Sequence, residues 1–344
     1  MSLHGLRASV CALANAEYAE YAEYAEYTEY CVRQRTDKSG RPGEPARSRT
    51  DGTDHPDMPW LLLALTLLAT LAAVTTLLAK RGHRRWRSQT RAFAARLDAE
   101  PGPDQASHFD PSELKDLPTP VQRYLRMALT AGQPLLRGVR LTQSGRVDLW
   151  RGGRRWQAFT AEQQVAIRRP GFLWDARIAL FAGLGVQVHD GYLAGAGLLH
   201  VSVPGLLDLA GQQGGEDLAR DELMRFLAEA PWYPTALLPG QGVSWAAVDG
   251  RHADATLIDG AVSVTLRFRF GDGGLVDSVR CEARQRRVGS RTALTPWEGR
   301  WKDWARRDGM RVPLTGEAAW LLLEGRQIYW RGRLGKLRYR FSTG

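Results

Sequence analysis

The chain has 344 residues, 44% of them hydrophobic, which leaves room for one large β-rich domain once any anchor is set aside. The net charge of +10 is local: Lys80, Arg81, Arg84, Arg85, Arg87 and Arg91 form one cluster, and Arg326, Arg331, Arg333, Lys336, Arg338 and Arg340 form another. The remainder is slightly acidic, which argues against a general polyanion-binding surface, so no nucleic acid is expected as a partner. Cys281 is the only thiol after residue 31, so the main domain has no internal disulfide, which fits a reducing compartment without establishing one.

Residues 1–57 differ from the rest. Ala16 to Tyr30 is a tripeptide tandem, AEY four times and TEY once, followed by a stretch rich in Gly, Pro, Arg and Asp. A period of three builds neither a helix face nor a strand face, so this extension is expected to be disordered. The tandem also reads as a translated nucleotide repeat, and Met58 stands directly before an apolar run. Two starts, Met1 and Met58, are therefore kept open.

Met58 to Ala79 is a run of 22 residues without a charge, followed by KRGHRRWRSQTR. It is long enough to cross the roughly 30 Å hydrocarbon layer as one helix. It is too long for most cleaved signals, and no small-residue cleavage site closes it. It is apolar on every face, unlike a helix lying on a soluble core. Lys80, Arg81, Arg84, Arg85 and Arg87 form the expected membrane-surface collar. The positive-inside rule then sets the main domain in the cytoplasm, under a single-pass anchor in the cell membrane. Residues 80–114 are expected as collar and tether.

The domain is expected over 115–344. DLPTPVQRYLRMALTAG predicts a helix with Thr119 as its N-cap and Pro120 at its first position, Val121, Tyr124, Leu125 and Ala128 on one face and Gly132 closing it. Beyond Leu135 the period becomes 2. The clearest hairpin is AVSVTLRFRF, GDGG, LVDSVRCEAR, in which Val262, Val264, Leu266, Phe268 and Phe270 share one face. Further strands are predicted at 139–150, 156–168, 186–193, 198–203, 243–248, 253–258 and 327–341. One helix, 216–230, interrupts them with a stripe of Ala219, Leu223, Phe226, Leu227 and Ala230. Consecutive short strands with polar turns argue for an antiparallel meander. The fold class expected is α+β: one transmembrane helix, then a large curved antiparallel sheet with two or three packed helices.

The stretches LPTPVQRYL, ELMRFLAEAPWYPTALLPG, VSWAAVDGRHADATLIDG, LRFRFGDGG and LTPWEGRWKDWARRDGMRVPLTGEAAWLLLEGRQIYWRGRL resemble, in this order, a bacterial membrane-anchored family of unassigned function. The resemblance covers most of residues 115–341 and brings no catalytic residues with it. More remotely, the hairpin, the extended segment rising to GMRVP and the strand pair after it are similar to the lipoprotein-carrier fold. That similarity implies a curved sheet with helices in its concave side and a cavity for acyl chains.

Ten tryptophans lie in the main domain, Trp150 among them; they read as wedges of a curved core or as an aromatic lining. Trp297, Trp301 and Trp304 have helix-like spacing, which makes their segment a candidate lid. His189 with Asp190, His200 with Asp208 and His252 with Asp254 are near neighbours without the spacing of a metal motif. Neither a G-x-S-x-G nucleophile nor a dinucleotide fingerprint is present; Cys281 reads as core, and Glu222 with Glu229 as a solvated helix face. No catalytic residue, metal ligand or cofactor is assigned. The leading expectation is a membrane-tethered domain binding a lipid or other apolar small molecule between sheet and helices, lined by Trp245, Leu266, Phe268, Phe270 and Trp320. The alternatives are an enzyme acting on a membrane-derived substrate through His189, His200 or His252, and an interaction scaffold without a ligand.

Overall fold

A computed structural model describes residues 59–99, 107–149, 155–180, 185–203, 207–288 and 291–342. The AEY tandem, the choice between Met1 and Met58, and Trp150 lie outside the described residues.

The apolar run forms the first part of α1 (Pro59–Ala99), a helix of 41 residues and about 60 Å. Its leucines point outward along the apolar part, and it is long and apolar enough to be compatible with a single-pass membrane anchor. The hydroxyls of Thr66, Thr70, Thr75 and Thr76 donate to carbonyls one turn back, so these polar groups need no water. The helix does not stop at the collar. Residues 91–99, expected as tether, are its last turns, because no proline follows before Pro101 and an apolar stripe continues.

The domain opens with a 3-10 turn at Pro111–Leu114 and α2 (Thr119–Ala128), whose predicted face of Val121, Tyr124, Leu125 and Ala128 is buried. The helix ends at Ala128, and Gly132, with φ of 71°, turns the chain after it. The described residues then hold thirteen strands. The first six are β1 (Leu136–Asp148), β2 (Trp156–Ala166), β3 (Gly171–Ala179), β4 (Gly185–Leu193), β5 (Ala196–Val203) and β6 (Leu207–Gln213). After α3 (Glu216–Glu229) come β7 (Val243–Ala247), β8 (His252–Asp259), β9 (Val262–Phe270), β10 (Val276–Val288), β11 (Arg291–Arg307), β12 (Met310–Leu322) and β13 (Gly325–Phe341).

All thirteen form one sheet in the order β6-β5-β4-β3-β2-β1-β13-β12-β11-β10-β9-β8-β7. Among the described residues every strand pairs antiparallel with its neighbours, so the fold is the expected α+β meander. The chain lays six strands outward from β1, crosses the concave side through α3 and short 3-10 turns, and returns from β7 to pair β13 with β1. Strands β3, β6, β11 and β12 were not among the strands expected from periodicity. The lid candidate is β11: Trp297 and Trp301, four apart, share a strand face as readily as a helix face. Asp303, with φ of 58°, breaks the alternation, and Trp304 packs against Tyr124 of α2.

α3 ties the two arms of the sheet together. Arg225 reaches Asp190 of β4, Met224 touches Cys281 of β10, and Glu229 accepts from Gln163 of β2. One continuous apolar core fills the space between α2, α3, the 3-10 turns and the sheet, with Trp174, Trp232, Trp297, Trp301 and Trp320 inside it.

Candidate functional site

The expected lining residues sit in this core. Leu266, Phe268 and Phe270 of β9 are buried, with Phe270 against Tyr124 and Trp245 edge-on to Phe268 at 5.1 Å. The Trp245 indole donates to the Leu237 carbonyl in the 3-10 turns at 2.9 Å. These four come together. Trp320 of β12 is buried elsewhere, stacked on Tyr329 at 5.7 Å. Of the five, Trp245 is half-buried and the other four are enclosed in the packed core.

The interior also holds a charged cluster under α3. Arg225 pairs with Asp190 at 2.5 Å and with Glu229 at 2.9 Å, its guanidinium 5.0 Å from the rings of both Phe172 and Trp174. Gln143, Gln163 and Trp174 continue the hydrogen bonds. Glu222 and Glu229, read from sequence as a solvated face, are instead turned into this cluster. Helical spacing gives which face two residues share, not which way it points. Burial, then the neighbouring Asp190, push the Glu222 carboxyl well above its ordinary range, against the pull of Arg225 and Arg284. The Glu222 carboxyl therefore holds its proton to higher pH than a solvated glutamate does.

On the other face of β3 to β5 lies the contact that sequence reasoning missed. Trp86, Thr90, Phe93 and Leu97 of α1 follow one another at spacings of four, three and four, a single helical stripe. Leu97 and Phe93 pack on Ala166, Leu173, Leu193 and Leu198. Trp86, 4% exposed, stacks on His189, and its indole donates to Asp175 at 3.0 Å. The Thr90 hydroxyl donates to Asp175 at 3.1 Å and lies 2.8 Å from His189 Nε2. Burial pushes the Asp175 carboxyl up, but hydrogen bonds from His189, Trp86 and Thr90 outweigh it and hold the group below its ordinary value. Of the collar, Arg85 lies 3.7 Å from Asp208, while the structure places Lys80, Arg81, Arg84 and Arg87 along α1 between the apolar part and Thr90.

Two of the three histidines converge here. The His189 and His200 rings are 6.2 Å apart, and His200 lies 3.2 Å from Asp208. His189 and Asp190 are separated by the sheet, one facing α1 and the other Arg225, because consecutive strand residues face opposite ways. His252 is elsewhere, paired with Asp249 at 2.8 Å, and its expected neighbour Asp254 pairs with Arg267. Among the described residues no three or more His, Cys, Asp or Glu side chains are placed to hold one metal ion.

Beside these histidines a groove of about 470 Å³ runs between α1 and β4 to β6. Gln89, Phe93 and Arg96 of α1 form one wall, His200, Leu198 and Gln212 the other, with His189 at its base. Ala92 and Phe93 on one side and Leu198 on the other are apolar, while Gln89, Arg96, His200 and Gln212 offer hydrogen bonds.

An apolar helix clamped to the outside of a curved antiparallel sheet, with a half-polar groove beneath the clamp, defines the class of protein. Over residues 115–339 the chain matches the model of a family described as a family of unknown function (DUF6920), and it belongs to that family. No curated protein matches the chain. Among solved structures, the chain is similar to a LolA superfamily protein from Nitrosomonas europaea, at 10% identity and a TM-score of 0.33, covering 65% of this chain and 94% of that one. It is also similar to a beta-barrel-like protein of a domain of unknown function (DUF1849) from Brucella abortus, at 11% identity and a TM-score of 0.18, covering 60% of this chain and 99% of that one.

Proposed function

We propose that this is a single-pass protein of the cell membrane that binds an amphiphilic, lipid-derived molecule in the groove between α1 and the sheet, with its domain on the cytoplasmic side. The observation that supports this most is the groove itself. Its volume of about 470 Å³ suits a small ligand. Phe93 and Leu198 offer apolar contact, while Arg96, His200 and Gln212 offer donors to a polar or anionic head. Gln89 opens it ten residues beyond Ala79, about 15 Å along the helix from the apolar part. The orientation follows the basic collar. Trp245, Leu266, Phe268, Phe270 and Trp320 would serve a second, interior ligand only with the packed core opened around them.

The test is native mass spectrometry of the full chain in mild detergent, with extraction of whatever is retained. A stoichiometric amphiphile in the wild type and its loss in Ala92→Trp, which fills the groove without touching the docking stripe, is the expected result. An empty wild type, or equal retention by the variant, overturns the reading.

A second reading is favoured by His189 and His200 lying together with Asp175 and Asp208: an enzyme acting on such an amphiphile, with His200 as general base. Release of a cleavage product from extracted lipid by the wild type and not by His200→Gln would carry it; absence of product from both would end it.

A further inference from the structure

A second groove, of about 390 Å³, lies on the outer face of the sheet across β1, β13, β12 and β11. Its floor is a row of glycines in register: Gly145 opposite Gly332, and Gly332 opposite Gly316. On the inner side the rings of Phe159, Trp330 and Trp301 lie against these three glycines so closely that no Cβ fits. On the outer side, two rows of side chains flank the bare backbone. Arg146, Arg331, Glu317 and Arg300 face one another along one row, and Arg333, Thr315 and Lys302 along the other.

The pairing of Arg146 directly opposite Arg331 is unfavourable for the sheet itself. Glu317 answers Arg331 and Arg326, and Glu298 answers Arg300 and Arg326. Arg146 and Arg333 have no carboxylate within ion-pair reach among the described residues. Trp156 closes one end, with the Arg331 guanidinium 5.3 Å from its ring. Surplus cations held side by side over bare backbone are completed by an anion.

The height of this groove on the domain selects the source. The Gly145 row continues through Phe159 to Ile178 of β3. Asp175, which holds Trp86, is three residues earlier on that strand, and Gly171 beside Leu97 is earlier still. The row therefore lies about 10 Å back along α1 from Trp86. Trp86 is itself seven residues beyond Ala79, about 10 Å along the helix. The groove and the collar thus stand at one level, where α1 leaves its apolar part.

We propose that this groove holds the phosphate of an anionic lipid headgroup at the surface of the bilayer that α1 crosses, with Arg146, Arg333 and Lys302 as donors and Trp156 at the rim. This rests on the reading of α1 as a membrane span and is independent of the groove beside the histidines, so Ala92→Trp leaves it unchanged.

The experiment uses the full chain in detergent micelles doped with phosphatidylglycerol or phosphatidylcholine, with retained lipid counted by native mass spectrometry. The wild type is expected to prefer phosphatidylglycerol. Each surface cation contributes about a fivefold preference for anionic lipid, so Arg146→Gln with Arg333→Gln should weaken retention roughly 25-fold. The collar variant Arg84→Gln with Arg87→Gln should keep the groove's lipid. Thermal unfolding shows whether the double variant is folded; if it is not, Lys302→Gln carries the test with a fivefold loss expected. Equal retention by the folded groove variant, no preference over phosphatidylcholine, or equally tight binding of free glycerol phosphate overturns the proposal.

Discussion

The indole of Trp86 lies on the imidazole of His189 with ring centroids 3.6 Å apart and planes 19° apart. One ring belongs to the helix that carries the apolar run and the other to the fourth strand of the sheet. Helix α1 is thereby held to the domain by side chains as well as by the chain itself, and the groove beneath it exists only while the two stay together.

Trp86→Ala should release the second part of α1 and leave the sheet folded. A buried tryptophan replaced by alanine costs about 3–5 kcal/mol, here drawn from helix docking and not from the main core. Hydrogen exchange at residues 85–98 is the measurement: exchange there should quicken by orders of magnitude while β9 and β10 stay protected. Unchanged exchange would mean that Phe93 and Leu97 hold the helix alone.

Docking should weaken in acid. Asp175 is held below its ordinary value in the folded protein, so its contribution is complete above the unfolded pKa of about 4 and is lost as pH falls through the lower folded value. Asp175→Asn should remove that acid dependence, together with part of the docking at neutral pH. Helix exchange rates measured as a function of pH in both proteins decide this.

Glu222 should act with the opposite sign. The folded chain keeps the Glu222 proton well above the pH of about 4 at which the unfolded chain releases it, so stability falls as pH rises across that interval. Glu222→Gln has no proton to lose. It should therefore melt several degrees above the wild type at mildly alkaline pH, at about 2–4 °C per kcal/mol, with the gap closing toward acid. A gap that widens toward acid would contradict a raised Glu222 pKa.

Gly145→Ala should be among the most damaging single methyl additions. The added Cβ meets the Arg331 carbonyl, the Gly332 Cα and the Phe159 ring at the seam where β1 and β13 join the two arms. Backbone cannot step aside as a flexible side chain does, so a loss of at least about 1–3 kcal/mol is expected. Gly211→Ala, whose nearest neighbour is the His200 ring at 3.9 Å, is the control and should melt like the wild type.

Much of this protein is legible residue by residue. The alternation of Val262 to Phe270 forms β9 with the bounds read from it, because one buried face and one wet face impose a period of two. The stripe of α3 was equally plain, and the start of α2 was read to within one residue, Pro118 and not Thr119 being its N-cap, since helical periodicity and a proline near the N-terminus are local signals. The apolar run determined a helix able to cross a bilayer through its length and lack of charge. What the tertiary structure alone decided is where faces point and which distant residues meet. Glu222 and Glu229 share a helix face in any reading, yet only the sheet beneath α3 turns that face inward onto Arg225. His189 and His200 carry no motif spacing, and only the antiparallel return of β4 into β5 sets them side by side under Trp86. Local spacing encodes periodicity, whereas these encounters depend on the curvature of the sheet and on loops that close over long separations, and those are global properties of the packed chain.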